Sequence, residues 1–160
     1  MAKTNPSTVL LRGDPIVKEY PLEALDVYGV GGITPGMLLA LTATATVKPH
    51  AVATGAARPA MFADVGLNLD PNSKTMCDID APYDVDGQSV RCLVCKPGDE
   101  IYALLEAGAG NDAAIGDLLE SNGAGLLQKG STSPIARALE HIDNDPGLYG
   151  DPMRIRVEVL

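Results

Sequence analysis

The sequence predicts a mainly β protein: a single barrel or sandwich carrying an extended N-terminal arm and at most one or two short helices. Three observations carry that reading. Of 160 residues, 17 are Gly and 12 are Pro, and they cut the apolar material into short runs. Residues 154–159, Arg-Ile-Arg-Val-Glu-Val, alternate charge and aliphatic side chain with a period of two, the pattern of a half-buried strand. Asn122-Gly123 stands between two apolar runs, a strong hairpin signal.

Taken in order, residues 1–32 show no sustained period of 3.6 or 2. Pro6, Pro15 and Pro21 bias their predecessors toward extended geometry. The segment reads as an arm ordered by a partner, with a mobile tail as the alternative, and residues 33–160 as the body. Ile33-Thr34-Pro35-Gly36 is a turn of type II chemistry opening the run 37–42. Thr44–Val47 resumes a β pattern, 51–57 is a loop, 60–63 a short strand, and 68–86 an acidic connection. A strand is expected over 90–95, while 100–107, which follows the turn at 96–99, reads as strand or helix. Residues 115–120 and 126–128 flank the Asn-Gly turn.

Two Gly-led phrases, Ile33–Leu39 and Ala114–Leu119, repeat one construction, with Pro97–Ile101 a looser copy. In each, Gly makes a corner before aliphatics enter a core. Ser133-Pro134 followed by apolar residues at 135, 139 and 142 is locally a helix signal.

Charge narrows the functions. Twelve basic against 21 acidic residues give a net charge of −9 and a pI near 4.5. That is unsuited to tracking phosphates, and with six aromatic residues and no Trp there is little base-stacking material, so no direct nucleic-acid partner is expected. Residues 1–48 carry four basic and four acidic side chains, so the whole net charge lies in 49–160. No run reaches the roughly 20 apolar residues of a membrane helix. Met1–Pro6 lacks a signal-peptide core, so synthesis in a cytoplasm is expected.

Candidate chemistry is sparse. Cys92-x-x-Cys95 invites a metal or redox reading, but side chains three apart on a strand face opposite ways, which predicts two small buried hydrophobes. Asp78-Ile79-Asp80 and Asp84-Val85-Asp86 lack the spacing of a calcium loop and read as solvated acidic loops. Arg12-Gly13-Asp14 spells an integrin-binding tripeptide, a string short enough to arise by chance. His50 and His141 have no nucleophile or metal-ligand pattern beside them. No catalytic residue, cofactor or metal site is expected.

The phrases Leu11–Pro15, Ile33–Leu39, Pro97–Leu105, Ile115–Gly123, Ala138–Glu140 and Arg154–Val157 together resemble the head decoration, or capsid cement, proteins of tailed bacteriophages. The likeness runs from about residue 10 to 160. It implies a β-tulip barrel with an N-terminal arm, and a strand over 135–142 in place of the local helix. It further implies a homotrimer on the outer capsid surface of a virion, bound between capsomers to the major capsid protein and stabilising the expanded head. Leu10, Leu11, Ile16 and Val17 would then bury against capsid protein, with Arg12 and Asp14 making polar contacts. Deleting 1–30 should leave a folded body. The rival reading is an exterior adhesive or fibre-base protein contacting the host surface. The stretches 68–86 and 143–152 depart from the pattern and are expected to be surface loops.

Overall fold

A computed structural model describes residues 8–24, 32–66, 79–143 and 152–160. Eleven strands are formed among them: β1 (Leu10–Arg12), β2 (Ile16–Pro21), β3 (Leu38–Leu41), β4 (Val47–Pro49), β5 (Met61–Ala63), β6 (Ser89–Val94), β7 (Glu100–Leu105), β8 (Leu118–Ser121), β9 (Leu127–Lys129), β10 (Ala136–Ala138) and β11 (Met153–Val159). A 3-10 turn spans Ala109–Asn111. The protein is mainly β, a closed five-stranded barrel with a further sheet packed on it.

The barrel runs β7-β11-β10-β8-β9 and closes where Leu127 of β9 pairs with Leu105 of β7; β1 adds to the start of β7. The second sheet runs β2-β6-β5-β3-β4. It curls until Leu22, just past β2, bridges Val47 of β4, with Glu23 N–H donating to the Val47 carbonyl at 2.9 Å.

Period-two alternation divides the apolar residues between two cores. Leu38, Phe62 and Leu93 face the barrel and pack with Ile101, Ile155 and Val157. Their chain neighbours Leu39, Met61 and Cys92 face the other way, into the curl of the second sheet with Tyr83 and Leu104. At these positions the wall is buried on both faces, and β5 is buried at every position. On β11 the expected alternation holds: Met153, Ile155, Val157 and Val159 are buried, while Arg156 and Glu158 on the other face reach solvent and Arg154 beside them is covered by the first corner. Each buried Ile or Val there contributes about 1.5–3 kcal/mol.

The three Gly corners are one structure used three times. Gly36, Gly98 and Gly116 have φ of 92°, 94° and 94°, the left-handed value a type II turn needs at its third residue. The turns close through Met37 N–H to Thr34 O, Asp99 N–H to Lys96 O, and Asp117 N–H to Ala114 O, at 3.0–3.1 Å. In each, the fourth side chain accepts the amide of the first residue: Met37 Sδ from Thr34 (3.2 Å), Asp99 Oδ2 from Lys96 (2.8 Å) and Asp117 Oδ2 from Ala114 (2.9 Å). The corners lead into β3, β7 and β8.

Several expectations require correction. Residues 133–142 form no helix, in line with the strand that the resemblance implies, but that strand covers only Ala136–Ala138 of 135–142. β10 lies between β8 and β11, and Ile135 and Leu139 donate their amides to the Leu119 and Arg156 carbonyls. Tertiary pairing outweighs the local signal. The strand expected from Thr44 starts only at Val47, because Thr42–Thr46 close the β3–β4 hairpin, with the hydroxyls of Thr42 and Thr46 2.7 Å apart. The described end of the acidic connection is not a surface loop throughout: Ile79 and Tyr83 are buried and Tyr83 bridges Ile33. The segment 1–32 is extended over 10–21, but there it is woven into both sheets, and Val9 is fully buried. Deleting 1–30 would strip a strand from each sheet. Residues 1–7, 25–31, 67–78 and 144–151, with Cys77, Asp78 and most of the 143–152 stretch, lie outside the described residues.

Candidate interaction surface

The six expected contact residues lie along β1, β2 and the crossing between them. Leu10 and Leu11 are half-buried, and Leu10 packs on the barrel core. Arg12 is exposed, its guanidinium 3.9 Å from Glu100; Asp14 is exposed, 3.9 Å from Lys96 Nζ. Such surface pairs are worth little and leave both side chains open to exchange partners. Ile16 and Val17 are 50% and 46% exposed. β2 pairs through its whole length with β6 on one side, and among the described residues no strand pairs its outer side over Ile16–Pro21. The structure thus splits the expected set: Ile16 and Val17 lie at a free edge, while Leu10 and Leu11 are partly spent on the chain's own packing.

The tripeptide Arg12-Gly13-Asp14 has an internal role. It carries the chain from one sheet to the other. Gly13 sits at φ 121°, and a Cβ there would run into the Asp99 carboxylate.

The remaining polar groups are built into the frame. His50 Nδ1 lies 2.8 Å from Ser121 Oγ. Burial lowers the His50 pKa, and a hydrogen bond from the ring to the Ala56 backbone pulls the other way. With the ring donating to Ala56, Nδ1 accepts the Ser121 proton, and Ser121 Oγ accepts the Gly123 amide at 3.2 Å. Ser121 is fully buried. Glu120, also buried, accepts the Thr132 and Ser133 amides at 2.8 and 3.1 Å. Arg154 donates to the Pro35 and Ile79 carbonyls and meets Asp80 at 3.2 Å, tying β11 to the first corner.

Burial raises the Asp64 carboxyl above the usual carboxylate range, against the Val65 backbone bond and the Arg91 charge. Arg91 Nε lies 3.0 Å from Asp64 Oδ2, yet its N–H has no aligned acceptor. The contact is an ion pair without a hydrogen bond. The two cysteines of the C-x-x-C face different cores, Cys92 the second and Cys95 the first. Burial pushes both thiols up to about 12, so neither supplies thiolate near neutral pH. Among the described residues no three His, Cys, Asp or Glu side chains gather as a metal site.

None of the long-range partnerships had a sequence signal: His50 and Ser121 are 71 residues apart and Arg154 and Pro35 are 119 apart. Comparison with models of known protein families and with curated proteins finds no match.

Proposed function

We propose that the chain is a structural protein of a tailed-phage particle. It binds the major capsid protein on the outer surface between capsomers, as a homotrimer, and stabilises the expanded head. The observation that supports this most is the outer edge of β2, where Ile16 and Val17 flank a row of backbone groups no described strand pairs. An aliphatic-flanked edge is a template for an extended segment of another chain: main-chain bonds supply affinity and alternate side chains supply specificity. Arg12 and Asp14 stand at the near end of that edge and add polar contacts. Three such edges on one trimer would bind by avidity, so each contact can be individually modest. The family resemblance supplies the identity of the partner.

The experiment uses expanded heads that lack the protein, because deletion of residues 1–30 would also unravel two sheets. Wild-type chain should co-sediment with the heads and raise the temperature at which they release DNA. Ile16→Asp with Val17→Asp should keep the wild-type melting temperature in solution yet weaken head binding by about tenfold or more, the effect of roughly 1.4 kcal/mol. Undiminished binding by this variant would overturn the assignment of the edge.

A further inference from the structure

Seven described basic side chains lie within 3.9 Å of a carboxylate, and Lys48 is likewise engaged. Lys18 and Arg58 stand apart, with no acidic partner among the described residues. Both line the same cavity, of about 380 Å³, within the range of small-ligand sites. In a chain with a net charge of −9, no carboxylate among the described residues lines it.

The rest of the lining is ordered and apolar. Leu39, Met61 and Val94 are successive cross-strand partners on β3, β5 and β6, and all face the second core. They form one continuous row along the cavity, and Tyr20 of β2 borders it. His50 also lines it, but its ring nitrogens are engaged by Ser121 and the Ala56 backbone. Free positive charge therefore comes from Lys18 and Arg58.

We infer that this cavity binds a small amphiphilic anion, a carboxylate or phosphate head on a short unbranched apolar body. The Arg58 fork and the Lys18 ammonium take the head, since a guanidinium matches two oxyanion oxygens at once. The apolar body lies along Leu39, Met61 and Val94 and covers the partly exposed Val94. The cavity borders β2 through Lys18 and Tyr20 but is lined by neither Ile16 nor Val17, and a small anion held there needs no partner chain on the β2 edge.

The test titrates octanoate and octyl phosphate into the full chain at low ionic strength, followed by calorimetry and by backbone amide resonances. Saturable binding of either, shifting Lys18, Met61 and Val94, is the expected result, and the stronger of the two identifies the head. Lys18→Gln with Arg58→Gln should weaken that binding by about tenfold or more, with the melting temperature unchanged because neither side chain has an acidic partner among the described residues to lose. The inference is overturned if neither probe saturates, if the double variant binds as well as wild type, or if 1-octanol or inorganic phosphate alone binds as tightly as the amphiphiles.

Discussion

The Asp14 amide donates to Asp99 Oδ1 at 3.1 Å. Asp14 lies on the crossing from the barrel-side β1 to β2 of the second sheet, and Asp99 on the crossing back from β6 to β7. The same carboxylate holds its own corner through Lys96. One buried side chain thus fastens two inter-sheet crossings at a single point.

Gly13 is where this fastening is tightest. Gly13→Ala places a Cβ both in left-handed geometry and against Asp99, whereas Gly98 at φ 94° has open space around it. Gly98→Ala should cost about 1–2 kcal/mol from backbone strain alone. Gly13→Ala should cost more, on the order of 3 kcal/mol, and urea unfolding of the two variants measures the difference.

Glu120 caps a loop rather than a helix. Glu120→Ala leaves the Thr132 and Ser133 amides without their acceptor in a part-buried site, an expected loss of about 2–3 kcal/mol. Glu120→Gln keeps one oxygen and should cost less. Faster hydrogen exchange at exactly those two amides in the Ala variant, compared with wild type, separates this cause from a general loosening.

Acid should weaken the fold through His50. Its folded pKa lies below the ordinary 6.5, so as pH falls the unfolded chain takes up the proton first and stability drops below about pH 6.5. The stability is fully present above that value. Denaturation midpoints between pH 7.5 and 5.5 should decline for wild type and decline less for His50→Gln.

Cys92 and Cys95 should both resist alkylation in the native protein at mildly alkaline pH and react fully in denaturant, as mapped by peptide mass. With pKa values of about 12 the thiolate fraction is negligible. Modification of either in the native state would show that a core opens.

What could be read from the sequence was local. The alternation of residues 154–159, the three Gly corners and the opposed cysteines all follow from chain geometry within a few residues, and each is found in place. What could not be read was pairing. Nothing near Leu127 says that it meets Leu105 and closes a barrel, and nothing in residues 133–142 announces that two strands will claim their amides. The packing of residues 10–21 was illegible for the same reason: Pro-broken and aperiodic, they hold their shape through β6 and β7, some 70–90 positions later. Lys18 and Arg58, 40 residues apart, gave no sign of sharing a cavity.

β11 is the last strand described and it lies in the interior of the barrel, between β7 and β10. On a ribosome that order has a cost. β7 and β10 emerge well before the strand that joins them, so the wall at Ile155 and Val157 stays open until residue 159 has been made. A chain still short of β11 has its nearly complete core exposed to its neighbours. Closure of the barrel thus waits on the emergence of Met153–Val159, and crowding of such chains is the most exposed moment of folding.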